Sequence, residues 1–412
     1  MKITKGTTPT TLGFDFTQDG VNFIKAESIT RDGNIVESTF SKIGEKTHEA
    51  LKRSQIADSD VLVTIAGIYL GKIGLVRKQH LPANTNQAVA IVRLDKAKAS
   101  PEFIKYFLLT PSTTSYLNML CPQSAQPNLN LTQLGNLKFN LPALSYQKKI
   151  AAILSSYDDL IENNRRRIEL LEKMAEELYR EWFVRMRFPG HKKVKIVKGV
   201  PEGWRMEKLD KAFQYTGGGT PSKEVNRYWE GGEVNWFTPS DITGADGIYL
   251  ERSGEQCTEE GFNSSSAKMF PAYSVMLTSR ATIGAIGINL TPACTNQGFI
   301  TCIPNEQYPL PYLYHWIKLA KPHFELLAVG ATFAELTKGT FKRIEILTPP
   351  ELIVTEFVQI VSPLFQAIEN HLRANKKLTE TRDMLLPRLI SGKLSVEHLD
   401  IQFPPSMEEF AS

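Results

Sequence analysis

The chain has little that would commit it to chemistry of its own. Its four cysteines, Cys121, Cys257, Cys294 and Cys302, are scattered over 412 residues. None forms a Cys-x-x-Cys pair and no two histidines have zinc-ligand spacing, which excludes a disulfide framework or a zinc module. They read as reduced thiols of a cytoplasmic protein. A membrane span needs ~20 apolar residues. The most apolar stretch, Val61 to Val76, is broken by Lys72 and by Gly67, Gly71 and Gly74, and reads as buried strands. Met1-Lys2-Ile3-Thr4-Lys5 leads straight into polar residues, so no secretory leader is expected. No charge of one sign dominates: 48 Lys and Arg against 44 Asp and Glu leave a net +4. That balance permits nucleic acid as a partner without requiring it.

Catalytic motifs are missing too. Gly67-Ile68-Tyr69-Leu70-Gly71-Lys72-Ile73 is one residue short of a phosphate loop and has Ile73 where a magnesium-binding hydroxyl belongs. Gly217-Gly218-Gly219 lacks dinucleotide-loop spacing and is expected to form a tight turn. Thr348-Pro349-Pro350-Glu351 shares only its prolines with the Asn/Asp-Pro-Pro-aromatic element of adenine methyltransferases. There is no Gly-x-Ser-x-Gly elbow and no His-Glu-x-x-His. The expectation is a chain with no catalytic set, no metal site and no cofactor.

What is present is a duplication. Gly6-Thr7-Thr8-Pro9-Thr10 recurs as Gly218-Gly219-Thr220-Pro221-Ser222, and Val21-Asn22-Phe23-Ile24 as Val234-Asn235-Trp236-Phe237. Gly71-Lys72-Ile73-Gly74 recurs as Gly284-Ala285-Ile286-Gly287, Thr85-Asn86-Gln87 as Thr295-Asn296-Gln297, and Ile161-Glu162-Asn163 as Ile368-Glu369-Asn370. The period is far longer than the ~20–50 residues of a solenoid unit. It repeats a whole domain with its connecting helix, and a two-fold protein suits a two-part target.

Each copy changes character once. Residues 1–141 and 203–348 show short apolar runs broken by Gly, Pro, Asn and Asp, the pattern of strands, with one helix expected near Pro101–Leu109 and another near Pro311–Leu319. After Pro142 the apolar period becomes a heptad seam: Ile150, Leu154, Tyr157, Ile161, Asn164, Ile168, Leu171 and Leu178. The second copy carries Phe357, Val361, Leu364, Ile368, His371, Leu378 and Leu385 in the same register, with Pro387 expected to end or kink the helix. Two such helices related by a two-fold axis run antiparallel, each ~60 Å long at 1.5 Å per residue. Asn164 would then meet His371 and Asn375 in a polar layer. The remaining segments are a helical region over 142–187, a basic linker over 188–202, a second helical region over 349–391 and a tail over 392–412. Leu394-Ser395-Val396-Glu397-His398-Leu399-Asp400 partly matches Trp204-Arg205-Met206-Glu207-Lys208-Leu209-Asp210, so the tail is expected to pack on the first domain and close a ring. Positive charge gathers at Arg165-Arg166-Arg167 and, from Arg185 to Lys198, in the linker, where it can neutralise phosphates or simply solvate the chain.

The helical motifs carry a resemblance. Glu162-Asn163-Asn164-Arg165-Arg166-Arg167-Ile168-Glu169-Leu170-Leu171, Leu178-Tyr179-Arg180-Glu181-Trp182-Phe183-Val184-Arg185 and Arg187-Phe188-Pro189-Gly190 resemble the central conserved region of type I restriction–modification specificity subunits. Leu385-Leu386-Pro387-Arg388-Leu389-Ile390-Ser391-Gly392-Lys393-Leu394 is similar to that family's C-terminal region. The match thins where the family shows Pro-Pro-x-x-Glu-Gln: the first copy keeps Pro142 and Gln147 but has Tyr146, and the second has Pro349-Pro350 with Thr355-Glu356.

The resemblance implies an α+β chain: two β-rich target-recognition domains joined by two long antiparallel, coiled-coil-like helices in a pseudo-two-fold circular arrangement. It implies a non-catalytic, cytoplasmic, membrane-free subunit whose domains each read one part of a bipartite double-stranded DNA target. The helices would space the parts and dock two methyltransferase subunits, which bind S-adenosylmethionine. Motor-nuclease subunits would complete the complex.

Residues identical in both halves cannot discriminate two half-sites, so Asn86-Gln87 and Asn296-Gln297 are expected to be structural or to contact phosphate. Readers belong at matched positions that differ. In the first half the DNA-contact candidates are Lys5, Thr8, Thr10, Lys25, Ile65, Ala66, Asn128 and Asn130, with Gln126 beside them; Thr8 and its match Thr220 do not differ, and enter because the hydroxyls and amides of loops 6–10 and 218–223 can serve phosphate or base contacts. In the second they are Thr220, Ser222, Lys223, Thr238, Ser279, Arg280, Thr332 and Lys338, with Glu335 beside them. Ile65-Ala66 against Ser279-Arg280 is the leading pair, because Arg280 could grip guanine bidentately, worth ~1–3 kcal/mol of discrimination. Competing readings are a single-chain restriction–methyltransferase, which would need catalytic motifs, and a scaffold for protein or carbohydrate. A third is an orphan specificity subunit that redirects another methyltransferase.

Overall fold

The computed structural model describes residues 1–121, 128–330 and 334–410. Two helices dominate the sequence order, Leu144–Tyr179 and Glu351–Ile390. The first contains neither glycine nor proline and is rich in Leu, Glu, Lys and Arg, which lose little rotamer freedom in a helix. Packing divides the chain into two compact units, Met1–Glu162 with Lys376–Ser412, and Asn163–Asn375. Periodicity changes at Pro142 and Pro349, but the unit boundaries fall inside both long helices.

The first unit builds a four-stranded antiparallel sheet in the order Lys2–Lys5, Val89–Arg93, Val61–Thr64, Ile73–Leu75. A second sheet pairs Val21–Ile24 in parallel with Ala83–Thr85. The inner face of the first sheet, with Val61, Val63, Ile73, Ala90 and Val92, packs on the helix Pro101–Leu109 through Phe103, Ile104 and Leu108. Ser100 caps that helix and Pro101 opens it, the residue types that favour a helix start. The second unit repeats the scheme. Tyr215–Gly217, Phe299–Cys302, Val275–Thr278, Ile286–Asn289 and Tyr249–Leu250 form its main sheet, and Val234–Phe237 pairs in parallel with Ala293–Thr295. Its helix, Leu310–Leu327, is twice as long as its counterpart, 18 residues against 9, and runs through Pro322.

In each unit the two long helices run antiparallel. In the first, Ile150, Ala151 and Leu154 share a core with Leu386 and Leu389. In the second, Ile168, Ala175 and Tyr179 share one with Phe357, Val361, Phe365 and Ile368, and Asn164 Nδ2 donates to Asn375 Oδ1 at 2.9 Å. Ile161 is also buried, while Tyr157, Asn164, Leu171, Leu364, His371 and Leu378 are half-buried. Leu178 and Leu385 flank the apolar stripe, with Tyr179 and Leu386 on it. A window of the second helix reaches a mean hydropathy of 1.3, enough by length and composition for a membrane span. Phe357, Val361, Phe365 and Ile368, buried in the second unit's core, are among the apolar residues behind that value.

The helix ends hold one departure from expectation and two features that residue order did not announce. Pro387 does not end its helix, which continues to Ile390. Proline removes one amide donor, but the chain turns only at Gly392, whose φ of 74° suits glycine, with Leu394 N donating back to Arg388 O. The first helix widens into a π turn over Arg180–Val184, and the extra residue brings both Trp182 and Phe183 into the core. The tail forms no strand over 394–400, whereas the segment it partly matches, Arg205–Lys208, pairs with Glu345–Thr348. Val396 and Met407 instead bury in the first unit's core, and Lys149 Nζ donates to the Glu397 and Leu399 carbonyls, both at 2.8 Å.

Candidate nucleic-acid interface

The same loop scaffold is built twice. In each copy the Gly-Thr-Pro loop crosses the Thr-Asn-Gln turn so closely that a side chain is impossible. A Cβ on Gly6 would lie 2.1 Å from Thr85 O, and one on Gly218 would lie 2.0 Å from Asn296 O. Neither glycine has positive φ, so the expected tight turn at 217–219 is a backbone crossing instead. Thr7 N and Gly219 N donate to Thr85 O and Thr295 O at 3.1 and 2.9 Å. Asn86 and Asn296 close their own turns by accepting from the amides of Ala88 and Gly298. Thr8 Oγ1 donates to Gln87 Oε1, and Thr220 Oγ1 donates to Gln297 Oε1 at 2.7 Å. Both glutamines are exposed, and with the carbonyl engaged each keeps its NH2 as the free donor.

Strand ends anchor to this scaffold. Ile65 N donates to Ala88 O and Ser279 N to Gly298 O, both at 2.8 Å. Leu129 N and Leu336 N then donate to the carbonyls of Ile65 and Ser279. This burial overturns part of the leading pair. Ile65 is 3% exposed and Ser279 2%, so neither can touch a base. One residue further on, the copies diverge at the surface. Ala66 bridges to Asn128, whereas Arg280 bridges to Glu335, with Arg280 Nε 2.9 Å from Glu335 Oε1. Arg280 stays half-exposed, so the carboxylate orients the guanidinium without hiding it.

The other candidates separate by what already holds them. Asn130 corresponds to Thr337 rather than Lys338. Both are N-caps, of Leu131–Gly135 and Lys338–Phe341, so Asn130 is occupied by Gln133 N at 2.8 Å. Thr238 is likewise in a capping box with Asp241. Lys223 sits 3.4 Å over the Trp229 ring and 2.7 Å from Glu255. Lys25 lies over Phe16 and 3.9 Å from Glu27. Lys5, Thr10, Ser222 and Lys338 are exposed, and the ammonium end of Lys338 lies against Gly217. Gln126 and Thr332 lie outside the described residues.

Two contacts had only a partial sequence signal. Both partners of the Thr–Gln bond stood out as repeated motifs, but 79 and 77 residues separate them and nothing local joins them. The Gly67–Lys72 stretch makes a hairpin connection to the strand Ile73–Leu75, with no helix after it to present to a phosphate. Among the described residues no group of three or more His, Cys, Asp or Glu could hold a metal ion. The start of the basic stretch is neutralised ahead of the linker, with Arg185 on Glu177 and Glu181, and Arg187 on Glu181. What the surface offers is paired hydroxyls, amides and carboxamides on two identical platforms, each flanked by a different side-chain pair.

Comparison with known proteins agrees with this arrangement. A family model described as the type I restriction modification DNA specificity domain matches residues 1–173 and again 201–380. The chain is 26% identical over 358 residues to the type I restriction enzyme HindI specificity subunit of Haemophilus influenzae, covering 71% of this chain and 77% of that one. It is 32% identical over 199 residues to the MjaIX specificity subunit of Methanocaldococcus jannaschii, covering 48% and 46%. The crystal structure of a type I restriction–modification S subunit from M. genitalium shares the fold, with a TM-score of 0.54 at 19% identity over 94% of this chain and 96% of that one.

Proposed function

The chain belongs to the type I restriction–modification specificity family, and from that premise we propose that each half reads one part of a bipartite DNA target while the paired helices set the distance between the parts. One observation carries this reading. The duplicated platforms are alike atom for atom at the Thr–Gln bond and the Asn turn, and unlike at Ala66/Asn128 against Arg280/Glu335. Common donors suit the phosphates that every duplex presents, and differing side chains suit the bases. A duplex read at two places by domains on a helical spacer has a fixed gap between its half-sites. The first helix alone, at 36 residues, is about 54 Å long.

Exposed apolar residues on the long helices support docking of methyltransferase subunits. Leu170, Met174, Leu352, Ile360 and Met384 all face solvent. Contiguous apolar surface marks interaction sites, and Leu170 and Met174 are one turn apart on the same helix. On this reading the chain is cytoplasmic and supplies no chemistry itself. S-adenosylmethionine binds to the partner, adenine is the modified base, and motor-nuclease subunits join the same complex.

The test is to express the chain with its methyltransferase subunit in a methylation-free host and map modified adenines. One split motif with an invariant gap is the expected result. A soluble complex that leaves no new methylation would overturn the reading.

A further inference from the structure

One charged surface of the first unit has no equivalent in the second. Thr85 Oγ1 donates to Ile24 O at 2.7 Å, which sets Lys25 beside the Thr85–Gln87 turn. Lys72 N donates to Thr64 Oγ1 at 2.8 Å and Thr64 N to Lys72 O at 2.9 Å, so Lys72 lies opposite the strand end that leads to Ala66. The turn 30–34 is packed against the same strand pair: a Cβ on Gly74 would lie 2.8 Å from Ile35 and 3.3 Å from Ile29. Arg31 is exposed on that turn. Burial, and then the Arg31 charge, push the Lys72 ammonium below its ordinary range, with Glu27 pulling the other way.

These cations keep their charge. Lys72 Nζ lies 4.2 Å over the Tyr69 ring and Lys25 Nζ 4.7 Å over the Phe16 ring, and a ring holds an ammonium in place without cancelling it. Lys25 reaches Glu27 only at 3.9 Å, and among the described residues Arg31 and Lys72 have no ion pair. The repeat supplies the contrast. It is ungapped from Val21/Val234 to Arg31/Gly244 and from Gly71/Gly284 to Gly74/Gly287. The structure keeps that match: Ala285 N donates to Thr278 Oγ1 at 2.9 Å, and a Cβ on Gly287 would lie 2.9 Å from Ile242, the counterpart of Ile29. Lys25, Glu27, Arg31 and Lys72 therefore become Thr238, Ser240, Gly244 and Ala285, all uncharged. Lys5 has a counterweight in Lys338, whose ammonium lies against Gly217, the residue matched to Lys5. Arg280 and Lys223, also at the second platform, are matched by Glu335 at 2.9 Å and Glu255 at 2.7 Å.

We propose that Lys25, Arg31 and Lys72 form a phosphate clamp that only the first half carries, so that this half supplies the larger share of the sequence-independent hold on the duplex. The inference rests on the DNA reading above and divides its labour unequally. A phosphate that meets an unpaired cation releases its condensed counterions, whereas an ion-paired cation must first give up its carboxylate. Arg31 and Lys72 repel each other in the free chain, and an anion between them removes that repulsion.

The test titrates a fluorescein-labelled duplex of arbitrary sequence with the chain bound to its methyltransferase subunit, over a series of salt concentrations. Binding of such a duplex reports phosphate contacts rather than base reading. Lys25→Gln, Arg31→Gln and Lys72→Gln together should make the slope of log K against log salt shallower by about 2–3, because each phosphate contact contributes about 0.9. Lys223→Gln with Arg280→Gln should change the slope by less than about 1. Lys72 is half-buried, so Arg31→Gln alone, at an exposed site, is the second variant, with a change of about 0.9 expected. Unchanged melting curves show that the variants fold. A folded triple variant with the parent's slope overturns the clamp, and an equal loss from the second-unit pair overturns the unequal division. If the parent complex methylates one split motif while the triple variant keeps its slope, this inference fails and the proposed function stands. If the parent complex holds no duplex at all, both fail.

Discussion

The two units solve one packing position in opposite ways. In the first, Asp158 on one long helix meets Arg382 on the other at 2.7 Å and Lys105 at 2.9 Å, and Tyr106 donates to it at 2.7 Å. The repeat places Phe365, Ala175, His315 and Trp316 at the corresponding sites of the second unit. There the layer is aromatic: His315 lies within 5.6 Å of the Tyr179 and Phe365 rings, and neither of its ring nitrogens has a hydrogen-bond partner. One scaffold thus accepts a nearly buried ion cluster or an apolar stack, provided the backbone path and volume are kept. Burial alone would raise the Asp158 carboxyl, but Lys105 and Arg382 more than offset that and hold it below its ordinary value. Burial pushes the His315 imidazole down to about 3.

Removing one member of the ion cluster should break the comparison most visibly. Asp158→Ala takes the carboxylate from Lys105 and leaves Arg382 only Asp383, and should cost about 3–5 kcal/mol. Hydrogen exchange should localise the loss to residues 1–162 and 376–410. Exchanging the three charged members for their second-unit counterparts, with Asp158→Phe, Arg382→Ala and Lys105→His together, should restore most of that stability. A triple variant as unstable as the single one would refute the equivalence of the two layers.

Acid separates the layers next. The unfolded chain protonates a histidine near 6.5, while the folded second unit keeps His315 neutral down to about 3. The unfolded state therefore binds the extra proton between those values, and the stability of the second unit falls as pH drops through that window. Asp158 acts in the same direction over a lower window: its stabilisation is complete above the ordinary carboxylate range and is lost as pH falls through its lowered folded value. His315→Phe should flatten the second unit's dependence between pH 6.5 and 3 and leave the first unit's acid limb in place, as read by denaturant midpoints from exchange in each unit.

The smallest effect is expected at Asn164 and Asn375, both half-buried in the second unit. Replacing both with Leu removes donor and acceptor together, which is near neutral or mildly stabilising. The melting temperature of the second unit should rise by at most a few degrees. A marked fall would mean that the amide pair contributes more than register.

Much of this architecture could be read from residue order. The heptad spacing after Pro142 located both helices and their apolar stripe, because side-chain period is a local property of helical backbone. The repeat located both β-rich halves and their matched loops. What stayed hidden depends on contacts distant in sequence. Ile65 and Ser279 looked like surface readers because they differ between copies, yet both lie under the Leu129 and Leu336 segments. Glycines 217–219 suggested a turn, but the demand on Gly218 comes from a carbonyl in another loop. Asp158, Lys105 and Arg382 are unremarkable in sequence, and only the fold brings them together.

The claim that each half reads its own part of the target rests on an exposed side-chain pair that differs beside two matching platforms. It is tested most directly by mapping methylated adenines for the chain carrying Arg280→Ala, co-expressed with its methyltransferase subunit. The expected result is a tolerated substitution at one position of a single half-site, worth ~1–3 kcal/mol of lost discrimination, with the other half-site and the gap unchanged. Relaxation in both half-sites, or an unaltered motif, would contradict it.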